Sequence, residues 1–278
     1  MNKLKLLNLG CGDHYHKDWV NVDFIKTGPD VIEHNLLTGI PYPDNSFDVV
    51  YHSHVLEHFS KNDGALFIKE CYRVLKPGGI LRIAIPDLEA IVDLYKENLK
   101  LALTGDENAY QNYQWLMLEL YDQTTRSAGG GEMKKYLKQE HLPNEEFVKS
   151  RVGSFYDEFR VKPPLLTPST TSKVKHFIKK IIPVSKIKNL SSRIGDTLFN
   201  LNYKRIGKFR LSGEIHQWMY DRMSLGRLLT ENGFKKPQLK KAIESQIPSW
   251  NNYGLDADVK GRIYKLDSLY MEAIKLHN

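Results

Sequence analysis

The residues most able to do chemistry fall in a few short runs. Asn8-Leu9-Gly10-Cys11-Gly12 closes an apolar stretch with two glycines. Glycine lets the backbone pass close to a ligand and adopt positive φ. The run suits a loop lying under a bound small molecule, and equally a glycine turn with no ligand. The dinucleotide fingerprint G-x-G-x-x-G fails, because its third glycine falls on Tyr15. Asp23 closes a second short strand, where a carboxylate can accept both hydroxyls of a ribose or simply stand exposed. His54-x-x-Glu57-His58 sets two imidazoles and a carboxylate at i, i+3 and i+4, a spacing that lets side chains meet on a helix. The trio suits a general base with its partner, a metal, or plain packing and hydrogen bonding; no metal is assigned. It is also the spacing of some zinc proteases, but a strand-turn-helix context does not suit them. His14 and His16 read as pocket-lining or solvated loop residues, and Cys11 and Cys71 as small core residues.

These residues need elements to position them. Lys5–Leu9, Trp19–Asp23, Asp30–His34, Ser46–His52 and Ile80–Ile85 read as strands. A helix is expected over Asp63–Leu75, with Ile68, Cys71, Tyr72 and Leu75 on one face and Lys76-Pro77-Gly78-Gly79 as its stop. A second helix follows Pro86-Asp87, with Leu88, Ile91, Val92, Tyr95, Leu99, Ala102 and Leu103 on its apolar face. Strands separated by crossovers imply a parallel sheet covered by helices, with ligands outside the carboxyl ends of its strands. Beyond residue 103 the pattern changes. Tyr113–Tyr121 reads as an aromatic helix, Gly129–Gly131 as a hinge, and Lys162–Ser172 as a linker. Val174, Phe177, Ile178, Ile181 and Ile182 form an apolar stripe opposite lysines. The α/β pattern returns near residue 218, with a helix over Asp221–Asn232 and strands near Lys240–Ser245 and Ser268–Ile274. The expected organisation is a core in two parts, 1–97 and 218–278, with a mostly helical cap over 98–217.

Composition narrows the partners. The chain of 278 residues is 41% hydrophobic and 26% charged, which excludes a disordered or collagen-like chain. No apolar run approaches the ~18 residues that span a bilayer, and the first ten residues lack signal-peptide features. With two cysteines and no disulfide framework, a cytoplasmic location is expected. The net charge of +7 is uneven: residues 160–210 hold thirteen Lys/Arg and one acid, leaving the rest of the chain at −5. That basic segment points to an anionic partner, and its amphipathic stripe suits the inner face of an anionic membrane or an ordinary lid helix. No RNA-binding signature accompanies it, so nucleic acid is not expected.

Leu6–Gly12, Val20–Asp23, the P-Y-P-D-N-S-F-D-V-V run at 41–50, S-H-V-L-E-H at 53–58 and R-V-L-K-P-G-G at 73–79 together resemble the class I S-adenosylmethionine-dependent methyltransferases. The resemblance implies a Rossmann-like α/β fold with a seven-stranded sheet, S-adenosylmethionine as cofactor and methyl transfer as the activity. It implies that Asn8, Gly10, Cys11 and Gly12 pass under the amino-acid portion of the cofactor. Asp23 would hold the ribose, Asn35 and Leu36 the adenine, and Ser53 and His54 would close the site. The family usually has an acid at Asn35, and only Asp13–Trp19 connects the first two strands, so the first helix should be vestigial. More narrowly, Asp122-Gln123-x-x-Arg126 with Gly129–Met133, His216-x-Trp218-Met219-Tyr220-Asp221-Arg222 and Ser268–Ala273 resemble bacterial methyltransferases of surface-polysaccharide synthesis. The expected acceptor is a small-molecule or lipid-linked glycan. His54, His216 and His58 are the candidate catalytic residues, and Asp122, Arg126 and His141 the candidate substrate residues. The alternatives are an RNA or small-molecule methyltransferase, or a non-catalytic cofactor-binding scaffold.

Overall fold

A computed structural model describes residues 3–153, 156 and 201–276. The 162–172 linker, the 173–182 stripe and most of the basic segment lie outside the described residues; of that segment only 201–210 is described, as helix.

Seven strands form one sheet: β1 (Leu6–Leu9), β2 (Val20–Asp23), β3 (Val31–Glu33), β4 (Phe47–Ser53), β5 (Leu75–Pro86), β6 (Lys235–Lys240) and β7 (Ser268–Ile274). Their spatial order is β3-β2-β1-β4-β5-β7-β6. The first five run parallel. β7 enters antiparallel between β5 and β6. This is the methyltransferase-type Rossmann-like sheet the sequence led us to expect, built from both ends of the chain.

Side-chain alternation splits the sheet into two faces. Leu7, Leu9, Val50, Leu81, Ile83 and Ile85 point to one side. They pack under α1 (Lys61–Val74), capped by Ser60, and the helix Arg222–Glu231, capped by Asp221 in a reciprocal box with Ser224. Leu6, Val49 and Tyr51 point to the other side, where they meet Trp19, Ile247, Trp250 and Leu255. No helix separates β1 from β2. The irregular segment 241–256 covers that face in its place. Trp19 is its edge-on aromatic hub, 6.1 Å from Trp250 and 5.2 Å from Tyr253 between ring centroids.

One buried cation holds that cover down. Arg82, fully buried in β5, donates from Nε to Asp256 (2.8 Å), from Nη1 to Glu272 (2.7 Å) and the Glu244 carbonyl (2.9 Å), and from Nη2 to the carbonyls of Lys241 (3.1 Å) and Ala242 (2.9 Å). All five guanidinium N–H donors are used. Its plane also lies 4.4 Å from the Trp250 ring.

The cap follows β5. α2 (Leu88–Ala102) and α3 (Glu107–Thr125) pack together, and α4 (Gly131–Leu137) and α5 (Glu145–Val152) complete it. Trp115, Leu137, Leu142, Val148 and Tyr156 make its own small core. Glu119 is buried there, paired with Arg151 at 2.8 Å.

Three sequence expectations need correction. The sixth strand is Lys235–Lys240 rather than 240–245. Gly233, at φ +94°, turns the chain directly out of the helix, and the 241–244 carbonyls face Arg82 instead of a neighbouring strand. β5 begins at Leu75, which pairs with Phe47; Ile80 then pairs with Val49, so Lys76–Gly79 loops out within the strand. In α2, Ile91 and Asn98 are the buried positions, while Val92 is 37% and Leu103 80% exposed. The helix packs on α3 through a face narrower than its apolar stripe.

Arg82→Met should destabilise the fold by ~3–5 kcal/mol, the scale of removing one partner from a buried ion pair, because Asp256 and Glu272 would stay buried and uncompensated. Denaturant unfolding checks this; a loss below ~1 kcal/mol would show that the 241–256 cover is held by its apolar contacts alone.

Candidate active site

The carboxyl ends of β1 and β4 open into a chamber of about 550 Å³, within the usual range for small-molecule sites. Gly10 and Gly12 turn its floor at φ +63° and +53°. A Cβ on Gly10 would stand 2.3 Å from Val55 Cγ2, so only glycine lets the loop pass under the turn after β4. The Gly12 amide donates to Asp23 Oδ2 at 2.8 Å, and Ile25 N to Oδ1 at 3.1 Å. Asn8, Cys11, Ser53 and His54 join the lining, with Tyr51, Leu255, Asp256, Tyr264, Lys265 and Tyr270 across from them. Burial pushes the Cys11 thiol up to about 12, with Asp23 adding to the effect. It is a packing group and not a nucleophile.

A second chamber of about 470 Å³ lies between the core and the cap, and Gln123, Arg126, Lys134, Glu214, His216 and Asp267 are among its lining residues. His54 and Lys265 line both chambers. His54 is held at φ +53°, a conformation that costs a non-glycine residue. Its amide donates to the Ala84 carbonyl (2.8 Å), Nε2 lies 2.7 Å from Ser268 Oγ, and Nδ1 lies 3.2 Å from Glu57 Oε1. The next residues form a 3-10 turn, Leu56–His58, which aims Glu57 inward and His58 towards the cap. There the His58 ring meets His216 edge-on, 4.9 Å between centroids. The strap 215–218 binds this turn: Gln217 N donates to the Glu57 carbonyl (2.7 Å), and Gln217 Nε2 to the His58 carbonyl (2.8 Å).

Charge at this wall is concentrated on Glu57, which is 1% exposed. Burial alone would raise its carboxyl, but His54 beside it, with His216 and His58 behind, holds it at about 2. Burial lowers His216 to about 3 against the pull of Glu57, and lowers His52, two residues before His54 in β4, to about 4. Burial also lowers Lys265, with Glu57, Asp267 and Asp256 opposing.

The candidate residues are therefore unequally placed. Asn8, Gly10, Cys11, Gly12, Ser53 and His54 line the first chamber. Asp23 touches it through the Gly12 amide. Asn35 and Leu36 line neither chamber; Asn35 caps a 3-10 turn by accepting from Leu37 N at 3.0 Å, and Leu36 packs on the main core. His58, His216 and Arg126 line the second chamber. Asp122 accepts from Glu132 N (2.7 Å) and Met133 N (3.3 Å), so its carboxylate is committed to the start of α4. His141 is exposed and lines neither chamber. Sequence reasoning missed Lys265, Ser268, Asp256 and Tyr264. Lys265, Asp256 and Tyr264 come from a stretch without periodicity, while Ser268 opens the expected last strand; only Arg82, a charge in the middle of an apolar strand, signalled that acids must fold back over the sheet.

Residues 7–83 match the family described as Methyltransferase domain. The match runs from β1 into β5 and covers less than a third of the chain. The chain is 34% identical over 99 residues to a protein of Mycolicibacterium smegmatis named a probable S-adenosylmethionine-dependent methyltransferase, covering 30% of this chain and 38% of that one. It is 36% identical over 102 residues to the ubiquinone/menaquinone biosynthesis C-methyltransferase UbiE of Hydrogenovibrio crunogenus, covering 33% and 36%. The match thus spans little more than a third of either relative. A solved S-adenosylmethionine-dependent methyltransferase of Thermotoga maritima, described as a possible histamine N-methyltransferase, is 13% identical, overlaps 99% of this chain and 84% of its own, and has a TM-score of 0.37. No helix among the described residues is long and apolar enough to cross a membrane.

The buried imidazoles of β4 and the strap set an acid limit. Their folded pKa values, about 4 for His52 and about 3 for His216, lie below the ordinary 6.5. Stability is therefore fully present above about pH 6.5 and is lost as pH falls towards those values, at up to ~1.4 kcal/mol per pH unit for each group. His52 makes no hydrogen bond with either ring nitrogen and stacks edge-on against Phe67 at 5.1 Å. His52→Phe should keep the fold and roughly halve the loss of stability between pH 6.5 and pH 5, read by denaturant unfolding at each pH; an unchanged slope would contradict it.

Proposed function

We propose that the protein is an S-adenosylmethionine-dependent methyltransferase that methylates a hydroxyl of a polar, sugar-like acceptor. One observation carries the reading: the chamber over the glycine loop and the chamber under the cap share a wall, and His54 stands in it. Methyl transfer is an in-line displacement, which needs the donor on one side of a narrow junction and the nucleophile on the other, with the reacting atoms near ~3 Å.

The first chamber fits the cofactor. Its positive-φ glycines open the floor to close approach, Asp23 lies at the end of β2, and Lys265 supplies a cation at the inner end, where we assign the amino-acid carboxylate. The bound cofactor supplies a sulfonium methyl and a neutral leaving group. This chain's own residues do the rest. His54 Nε2 takes the acceptor's hydroxyl proton through the Ser268 hydroxyl 2.7 Å away, which passes its own proton to the ring as it receives the acceptor's. Glu57, 3.2 Å from Nδ1, fixes the ring's orientation. The cap closes over both and excludes water.

The sugar-like acceptor is supported by the second chamber, where Gln123, Arg126, Lys134, Glu214 and Asp267 present charged and amide groups. The segments that resemble methyltransferases of surface-polysaccharide synthesis also meet here. Gln123, Arg126, Gly130, Met133 and His216 line the chamber, and Ser268 touches His54. Contact with an anionic membrane rests on the charge of 160–210. Replacing Lys175, Lys179, Lys180 and Lys186 with Gln should abolish sedimentation with anionic vesicles at low salt and leave cofactor affinity intact. Absence of vesicle binding in the wild type would remove the membrane from the proposal.

Two variants separate binding from chemistry. Asp23→Ala should weaken S-adenosylmethionine binding by ~1.5–3 kcal/mol, the contribution of hydrogen bonds to a charged group, measured by calorimetry. His54→Gln should leave that affinity within a few-fold but lower kcat by ~10²-fold or more in transfer assays against lipid-linked and nucleotide sugars. Unchanged kcat in a folded His54→Gln variant would assign the base elsewhere.

A further inference from the structure

The H-x-x-E-H spacing suggests that His54, Glu57 and His58 might act together, but the fold groups them differently. His54 turns to Ser268, and the cap strap supplies His216 in its place, so that one ligand atom from each of Glu57, His58 and His216 falls within 4.8 Å of the others. We propose that Glu57, His58 and His216 form a binding site for a divalent transition-metal ion, of the class of Zn²⁺ or Mn²⁺, on the wall of the acceptor chamber.

Three observations carry it. First, the donor set is two imidazoles and one carboxylate, which suits these ions. Its spread is a little wider than the ~3.4 Å edge of a tetrahedral site with ~2.1 Å bonds, a difference that side-chain rotation closes. Secondly, His58 Nδ1 donates to the Ile215 carbonyl at 3.2 Å. A carbonyl can only accept, so this tautomer leaves the Nε2 lone pair free, and a backbone partner on the second nitrogen is the usual support of a metal-bound histidine. Thirdly, Glu57 is almost wholly buried, yet neither carboxylate oxygen accepts a well-formed hydrogen bond among the described residues. Its near neighbour His54 meets one oxygen, Oε1, at 3.2 Å, which leaves Oε2 for another cation. A buried carboxylate of this kind is costly unless a charge or a full set of donors meets it. Lys265 lies near enough to feel the charge but faces both chambers.

Metal binding stands apart from the methyltransferase reading. The use of the ion to polarise an acceptor hydroxyl rests on that reading.

The test uses the full chain and the metal alone. Zn²⁺ titration by calorimetry, with Co²⁺ absorption as a second readout, should show one site per chain in the wild type. His216→Ala and Glu57→Gln should each weaken it by at least tenfold, while His34→Ala, beyond β3, should leave it unchanged. If His216→Ala does not fold, His58→Gln, at a partly exposed position, takes its place with the same expectation. A wild type that binds neither ion, or binding unchanged in the folded site variants, overturns the proposal. Because the readout is binding, a protein that holds the metal but transfers no methyl group would fail the proposed function alone.

Discussion

A single guanidinium sets the shape of the ligand-binding end of this protein. Arg82 lies in the middle of β5 with all five donors engaged, two of its partners being the carboxylates of Asp256 and Glu272 and three the carbonyls of 241–244. A cation at that depth is tolerated only when fully paired, so the chain from 241 to 256 has to return to the sheet. That return replaces the helix missing between β1 and β2. It also brings Leu255 and Asp256 to the wall of the first chamber. Tyr51 adds to the network by donating to Asp256 Oδ1 at 2.6 Å. Structural and functional surfaces are thus the two ends of one polar network.

The other constraint is the turn after β4. His54 adopts a left-handed backbone because the Ala84 carbonyl, Ser268 and Glu57 together over-determine it. Such conformations persist where neighbouring contacts outweigh their cost of ~1–3 kcal/mol. The result places an imidazole in the wall common to the two chambers, with a buried carboxylate behind it. The strap 215–218 then couples cap and core, since its backbone bonds to the Glu57 carbonyl and the Gln217 side-chain bond to the His58 carbonyl tie the chamber under the cap to the same turn.

Much of this was readable in the sequence where local rules act. The β1 glycines, Asp23 and the S-H-V-L-E-H run announced where the first chamber opens, because strand ends in a parallel sheet are where ligands sit. The missing first helix was legible from the seven residues of Asp13–Trp19. What was not legible depended on distant partners. Nothing in 241–267 has a period, so the segment that covers the second face could be placed only through Arg82. Asp122 read as a sugar ligand, but the turn at Gly130-Gly131 brings the amides of Glu132 and Met133 onto its carboxylate. The grouping of Glu57 and His58 with His216 joins residues more than 150 positions apart, which spacing alone does not reveal.

The central claim is that the two chambers meet at His54 as donor and acceptor sides of one reaction. A crystal structure of the full chain with S-adenosylhomocysteine tests it most directly. The account predicts the homocysteine portion over Gly10–Gly12 and the sulfur directed at the junction beside His54, with the chamber under the cap left open. Ligand bound under the cap, or a sulfur turned away from His54 in the first chamber, would contradict it.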